Sequence, residues 1–559
     1  MNILGISGIF GHDAAACISI NGEIMAYAEE ERFSRKRFSF GDFPIESTMY
    51  CLQETQLSMG EIDVLSISID PHLDKESALF RDYGERFLNE MGIPEKDWPE
   101  IDYLNHHLCH AASSYYSSGY EKAISLVLDG NGEINSTSIY LCDNGEIMEK
   151  ESFDISQSLG HFYKSVCIYN GLGRYSEGKL MGLAAYGNPL YTFSPIDINS
   201  ITGYSIHLGS AIRYLPQEHR YQHIQNEWLN WLEVNFGSPN SSKLSWSKID
   251  GFSNYTSFTQ KHKDIAASAQ NTLNQMIESL IRYAIEKYQV SNLCISGGVG
   301  LNCSTNGYLT EKNIVDSMYI IPVANDAGGA LGAAYISGKK RNVNPVKLKS
   351  VYLGPEYSEE EVIDLLKQKK IPYQVVKNSS EFAAEKILLG AVIGWFQGRM
   401  EIGPRALGNR SILALPNSIS IRDRVNLIKG REDWRPLSPS IMEEEVLQYV
   451  DFHSKYMLRG LQVKKERKNE IIGAVHVDGS ARVQSVSKYK NAKYHELLQK
   501  IKEKTGVGAL LNTSFNIGGE PLVCTPRDAI KTFYDSELDY LIIGNIVLTK
   551  KFLYEHEFN

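Results

Sequence analysis

The chain has 559 residues and a formal net charge of −10, with 43% hydrophobic and 22% charged residues. That balance indicates a folded protein of more than one domain and excludes wholesale disorder. No basic face suits nucleic acid, no apolar run is long enough for a transmembrane helix, and the first residues lack a signal peptide's cationic start. A cytoplasmic protein with neither a nucleic-acid nor a membrane partner is therefore expected. Eight cysteines without CxxC pairing give no disulfide framework, and Cys17, Cys294 and Cys303 sit in apolar contexts that suit buried, inert thiols.

In chain order, residues 3–7, 15–20 and 23–28 alternate like paired strands, with the hairpin signal Asn21-Gly22 between the last two. His12-Asp13 falls in the turn after the first strand. A histidine at a cleft can serve as a general base, although a satisfied turn histidine explains it equally. Residues 106–117 read as a helix. Residues 124–129 form a buried strand ending in Asp129-Gly130-Asn131-Gly132, and 138–142 continue the sheet before a turn at Asp143-Asn144-Gly145. Two rounds of strand–turn–strand–turn–strand predict a duplicated α/β fold, actin-like, with a cleft between its halves. Residues 191–260 lack a clean period and read as an insertion that could shape an acceptor pocket. A long amphipathic helix over 261–289 precedes a strand at 293–296, and Asn325-Asp326 precede a small-residue helix over 327–335. Charged, turn-rich residues 341–356 read as a linker between a first domain, 1–340, and a second, 357–559, which opens with a helix over 358–367.

Four groups of residues carry chemistry. His106 and His110 are spaced i, i+4 on one helix face, and Asp129 and Asp326 each close a strand or open a helix nearby in sequence. Two imidazoles and two carboxylates suit a divalent metal with open positions, though polar surface histidines would show the same spacing. Gly297, Gly298, Gly300 and Asn302 follow a strand directly, so backbone N–H groups there can approach a phosphate, or merely make a tight turn. Gly130, Asn131 and Gly132 form a second glycine loop, and Lys179 stands in a third, where it can meet a phosphate as a point charge. In the second domain Arg405, Lys429, Arg431, Arg435 and Arg482 gather among glycines and prolines, and Ser514 and Asn516 follow a strand. Such clustering in an acidic protein indicates an anion site, with surface salt bridges as the alternative.

Taken together, GHDAAA (11–16), AEEERFSRKR (28–37), NHHLCHAASSYY (105–116), DGNGE (129–133), EGKLMGLAAYG (177–187), SGGVGLNCSTNG (296–307), NDAGGALGAA (325–334), GRMEIGPRALGNRS (398–411), DWRPLSPS (433–440) and NTSFNIGGEPLVCTP (512–526) resemble the O-carbamoyltransferases of antibiotic and nodulation-factor biosynthesis, the nodulation protein U and tobramycin carbamoyltransferase type. The resemblance implies a first domain that is actin-like and metal-binding, and a second that makes carbamoyl-adenylate from carbamoyl phosphate and ATP, like threonylcarbamoyl-AMP synthase. It implies His106, His110, Asp129 and Asp326 as ligands of a divalent metal, iron(II) first, with magnesium, manganese or zinc as alternatives. It further implies His12 as the base for a small-molecule hydroxyl, and Arg405, Lys429, Arg435, Arg482, Ser514 and Asn516 as the carbamoyl phosphate and ATP site. The glycine loops at 130–132 and 297–300 would hold the adenylate beside the metal. A homodimer is one expected state. The alternatives are an actin-like small-molecule kinase, a tRNA threonylcarbamoylation enzyme and a nucleotide-switched scaffold.

Overall fold

A computed structural model describes residues 1–73, 80–199, 201–208, 217–240 and 258–550. It divides into two compact units, with the boundary in the main chain between residues 349 and 350. Parts of the 191–260 segment lie outside the described residues. No helix among the described residues is long and apolar enough to cross a membrane.

In the first unit, β1 (Asn2–Ser7), β2 (Ala15–Ile20) and β3 (Glu23–Glu29) form an antiparallel meander. The strands β4 (Val64–Ile67) and β5 (Glu100–Tyr103) extend it in parallel, giving the order β3-β2-β1-β4-β5. A second sheet repeats that plan. Its meander is β6 (Lys122–Leu128), β7 (Asn135–Asp143) and β8 (Glu146–Asp154). A short hairpin, β9 (Ile196–Asn199) and β10 (Gly203–Ile206), intervenes in the chain. The strands β11 (Asn292–Ser296) and β12 (Ser317–Ile320) then complete the order β12-β11-β6-β7-β8. The described part of the 191–260 segment packs into this unit, where Trp228 is buried against Phe162 with ring centroids 5.0 Å apart.

Two helices bring the sheets' loops together. The helix His106–Ser118 packs against the helix Gly329–Lys340, and the second also covers β1. The approach is close enough to require glycine. A Cβ on Gly332 would lie 1.8 Å from the Cys109 carbonyl oxygen, and one on Gly5 would lie 2.1 Å from the Ala330 oxygen. The Asp326 loop precedes one helix and the two histidines ride on the other, so this contact sets their separation. The segment 341–349 lies on the first unit, where Val346 N–H donates to Gly22 O and Lys349 pairs with Glu23 at 2.7 Å.

The second unit is built on an eight-stranded mixed sheet. Its strands are β13 (Gln374–Val375), β14 (Ile393–Phe396), β15 (Arg410–Ala414), β16 (Ser438–Met442), β19 (Gln484–Val486), β20 (Ala509–Ser514), β21 (Tyr540–Ile543) and β22 (Ile546–Thr549), with the two-stranded β17 (Leu461–Gln462) and β18 (Ser480–Ala481) apart. The order is β13-β22-β21-β14-β15-β20-β16-β19. Arg410 is fully buried and structural. Its guanidinium stacks 3.5 Å from the Phe396 ring centroid and donates to the carbonyls of Gln397, Gly398, Asn409 and Pro355. That cation thus closes its own glycine-rich loop and offers nothing to a ligand.

Gly332→Ala is expected to destabilise the first unit by about 1–3 kcal/mol, the usual cost of overpacking. Gly60→Ala, where a Cβ meets nothing within 4 Å, should leave the thermal midpoint unchanged in the same melting experiment. Equal midpoints for both variants would contradict the close crossing.

Candidate functional site

The helix His106–Ser118 starts on two anchors. Asn105 caps it by accepting the Leu108 N–H, and the buried carboxylate of Glu133 accepts the His106 N–H at 2.8 Å and the Asn105 amide at 3.1 Å. A carboxylate suits the positive end of a helix dipole, and here it also fixes the helix's rotation. His106 and His110 therefore aim at one point, with their Nε2 atoms 3.1 Å apart. The backbone oxygen of Ser68 lies 3.3 Å from His106 Nδ1 and can accept its proton, which leaves Nε2 as a lone pair. His107, one residue on, turns away to Ser138 at 2.8 Å, and burial pushes its pKa down to about 3.

The carboxylates arrive from the loops. Asp129 follows β6, and its Oδ2 lies 3.5 Å from His106 Nε2 and 3.9 Å from His110 Nε2. Asp326 opens the turn before Gly329–Lys340, with Oδ1 3.7 Å from both histidines. All four residues are buried, and one ligand atom from each lies within 4.8 Å of the others. Burial works against every charge in this group, yet the carboxylates hold His106 well above the usual histidine range, and the imidazoles hold Asp326 well below the usual carboxylate range. Two buried imidazole nitrogens 3.1 Å apart face two carboxylates, a grouping that could hold a metal ion. The donors, nitrogen and hard oxygen in equal number, fit a divalent transition-metal ion.

The glycine loops frame this point. Gly298 N–H donates to Asp129 Oδ1 at 3.0 Å. Gly297 has a φ of +85° and lies so near Leu128 that a Cβ would stand 2.2 Å from its carbonyl oxygen. Gly300 N–H bonds back to Gly297 O. Gly130 is held from below by Ser158, whose Oγ donates to its carbonyl at 2.6 Å. Asn131 is half-buried beside it, and Gly132 is pinned by N–H donation to Asn135 O. Asn302 is a helix cap: its Oδ1 accepts the Thr305 N–H, and its amide reaches Gln270 at 3.2 Å.

His12 lies on the opposite rim. Its Nδ1 is 3.2 Å from Asp13 Oδ2 and 3.9 Å from Asp326 Oδ2, and 27% of its side chain is exposed. Desolvation lowers its pKa, but the Asp13 hydrogen bond and the charges of Asp326 and Asp13 outweigh that and raise it to about 9. The lysine whose charge reaches this centre is Lys164, on the helix Leu159–Tyr169. Its field acts on His12, it senses Asp129, and burial lowers its pKa. Sequence reasoning missed it because the HFYKS stretch carries neither a glycine loop nor a motif. Lys179 sits on the helix Glu177–Ala184, half-buried, where its charge acts on Cys167.

In the second unit Lys429 is 1% exposed. Its ammonium donates to the Ser514 carbonyl, to Asn516 O at 2.8 Å and to Asn516 Oδ1 at 2.8 Å, with Ser514 Oγ at 3.3 Å. Arg431 reaches Thr513 Oγ1 at 3.3 Å and Ser514 Oγ at 3.4 Å. Burial, with the charges of Arg431 and Arg435, pushes the Lys429 pKa well below the usual lysine value. Arg435 stands beside Glu432 at 3.7 Å. Arg482 donates to Ser438 at 3.0 Å, on the strand next to β20. The Arg405 loop lies over the same strands through Asn512, which donates to Ala406 O. Lys429 and Arg431 therefore meet at Ser514, Lys429 also at Asn516, and the charge of Arg435 reaches Lys429, whereas Arg482 is held at Ser438 and the Arg405 loop touches the sheet through Ala406.

Comparison with known proteins identifies the family. Residues 79–335 match the carbamoyltransferase N-terminus family and residues 384–550 the carbamoyltransferase C-terminus family. The chain is 33% identical to the nodulation protein NolNO of Sinorhizobium fredii over 98% of its own length and 81% of that protein's. It is 36% identical to 3′-hydroxymethylcephem-O-carbamoyltransferase of Streptomyces clavuligerus, over 45% of this chain and 48% of that one. Among solved structures, full-length HypF in its phosphate- and nucleotide-bound form aligns with 62% of this chain and 56% of that chain, at 14% identity and a TM-score of 0.38. The chain belongs to the carbamoyltransferase family, and it is a carbamoyltransferase.

Proposed function

We propose that the protein is an ATP-dependent O-carbamoyltransferase that works in two steps, one in each unit. The observation that carries this reading is the division of chemistry: cations with hydroxyl and amide groups in the second unit, and a four-residue metal-type cluster with a histidine–aspartate pair in the first. In the second unit, carbamoyl phosphate and water give carbamate and phosphate. A carbamate oxygen then bonds to the α-phosphorus of ATP as pyrophosphate leaves. Arg405, Arg431, Arg435 and Arg482 bind the anions, while Lys429 orients Ser514 and Asn516 toward them. An anion beside Lys429 also relieves the repulsion that lowers its pKa.

In the first unit, the acceptor hydroxyl bonds to the carbamoyl carbon, AMP leaves, and the hydroxyl proton goes to His12 in its neutral form, which a pKa of about 9 confines to alkaline pH unless a bound cation takes up the Asp326 charge. Asp13 takes the Nδ1 side, so Nε2 is the position that receives it. Backbone N–H groups of the 130–132 and 297–300 loops hold the phosphate. His106, His110, Asp129 and Asp326 would hold a divalent metal, iron(II) by preference, supplying Lewis acidity toward phosphate and carbonyl oxygens and drawing on the Asp326 charge that raises His12. The acceptor is a small-molecule hydroxyl, the first domain spans about residues 1–340 and is actin-like, the second spans about 357–559 with the adenylating role, and the protein acts in the cytoplasm with no nucleic acid or membrane partner.

Three outcomes test this. His12→Ala should lower carbamoyl transfer by about 10²–10⁴ while carbamoyl-phosphate-dependent pyrophosphate release stays at the wild-type rate; a joint fall would make His12 structural. Lys429→Met should abolish that release, and wild-type release would remove Lys429 from the site. Adding iron(II) or cobalt(II) at one hundred times its dissociation constant to chelator-treated protein should stabilise it by about 2.7 kcal/mol in thermal melts. His110→Ala should lose that gain, and an equal gain in the variant would place the metal elsewhere.

A further inference from the structure

One turn of the second unit is organised by a single buried carboxylate. Glu401 is 2% exposed, and its Oε1 accepts the backbone N–H groups of Leu407 at 2.6 Å, Asn409 at 3.3 Å and Arg410 at 3.3 Å. Between them, Gly408 N–H donates to Ser411 Oγ at 3.1 Å. The carbonyls of the turn are held as firmly. Ala406 O accepts the Asn512 amide at 3.2 Å, and Gly408 O accepts Gln397 Nε2 at 3.2 Å. Leu407 O accepts both Gln484 Nε2 at 2.7 Å and the Tyr352 hydroxyl at 3.0 Å. Tyr494 packs against the turn, where a Cβ on Gly408 would stand 2.2 Å from its ring. Glu401 is itself fixed by a backbone bridge to Tyr352, with Ile402 N–H donating to Val351 O at 2.8 Å.

Stability alone does not account for this arrangement. Glu401 Oε2 is buried without a partner, and a buried carboxylate outside an ion pair is among the least favourable groups a core can hold. What the turn delivers is Arg405. Residues 406–410 are all buried, whereas Arg405 is half-buried, so it is the side chain of the stretch 405–410 that reaches outward. Asn512 sets the place of delivery. Alternate residues of a strand share a face, so Asn512, which pins Ala406, lies on the same face of β20 as the Ser514 hydroxyl. That hydroxyl is 3.3 Å from Lys429 Nζ.

We propose that Glu401 is a positioning residue of the second unit's anion site: it gathers the N–H groups of the turn so that Arg405 is presented on the β20 face that carries Ser514 and Lys429. This rests on the proposed role of Arg405 in binding the anionic donor. A guanidinium recognises phosphate best when its fork is held in register, and the carboxylate supplies that register from behind. Glutamine at 401 keeps the size but exchanges a charge-assisted acceptor for a weaker one, and adds donors where N–H groups already converge. The turn then loosens and Arg405 loses its aim.

Isothermal calorimetry of the full chain with inorganic phosphate tests this without requiring turnover. Arg405→Ala and Glu401→Gln should each weaken phosphate about ten-fold. The double variant should bind it no more weakly than Arg405→Ala alone, because the carboxylate acts through the guanidinium. A merely structural role would add the same loss in either background. Tyr352→Phe, which removes one donor from Leu407 O, is a milder second variant should Glu401→Gln fail to fold. Its loss of about three-fold should likewise vanish in the Arg405→Ala background. Unchanged phosphate binding in Arg405→Ala or in Glu401→Gln, or equal losses in the two backgrounds, would overturn the assignment. The same preparations are assayed for carbamoyl-phosphate-dependent pyrophosphate release. Release by the wild type with additive phosphate losses overturns the positioning role alone, whereas coupled losses without release uphold it and remove the adenylation reading.

Discussion

The close crossing of two helices at Gly332 is the constraint on which the first unit's chemistry depends. One helix carries both histidines, and the other follows directly from Asp326. With a carbonyl oxygen 1.8 Å from where a side chain would begin, the two helices can touch through backbone alone. That contact brings Asp326 to the two histidines, and the loop after β6 adds Asp129, so four polar groups meet inside a molecule that otherwise gains stability by burying apolar ones. Ser68 faces the His106 ring, Glu133 holds the His106 backbone N–H and Gly298 donates to Asp129, while His110 Nδ1 stays without a partner. The group could hold a metal ion.

The second unit solves the opposite problem. It holds positive charge close together and leaves Lys429 buried, with its pKa lowered by desolvation and by two arginines. Hydrogen bonds to Ser514 and Asn516 satisfy the ammonium without neutralising it. A site in this condition gains most from an anion, because the anion removes repulsion as well as adding attraction. The two units therefore carry different chemistry, a buried carboxylate–imidazole group in one and clustered cations in the other.

Much of this is legible in the sequence, and the limits have physical causes. The paired strand–turn–strand patterns, the helix bearing His106 and His110 and the long helix Gln260–Tyr288 follow from periodicity and from Asn-Gly turns, which are local properties. Asp129 and Asp326 stand out because each adjoins glycines at the end of a regular element. What sequence could not show depends on contacts distant in the chain. Glu133 reads as part of a glycine loop, yet it caps a helix that begins 27 residues earlier. Lys164 sits on a helix without any motif, and only folding brings its charge to His12. Arg410, within the arginine-bearing stretch 398–411, is spent on the Phe396 ring and on carbonyls of Pro355, Gln397, Gly398 and Asn409. Asn302, read as a nucleotide contact, spends its side chain on a helix cap. Cys303, read as buried, is half-exposed, whereas Cys17 and Cys294 are buried.

The most direct test of the two-step account follows an oxygen atom. Wild-type protein is mixed with ATP, a divalent metal and carbamoyl phosphate bearing heavy oxygen on its carbonyl, without acceptor, and the quenched nucleotides are read by mass spectrometry. The account predicts labelled carbamoyl-adenylate together with pyrophosphate, because a carbamate oxygen becomes the bridge to the α-phosphorus. Formation of ADP, or of AMP with no labelled adenylate at any time point, would contradict it.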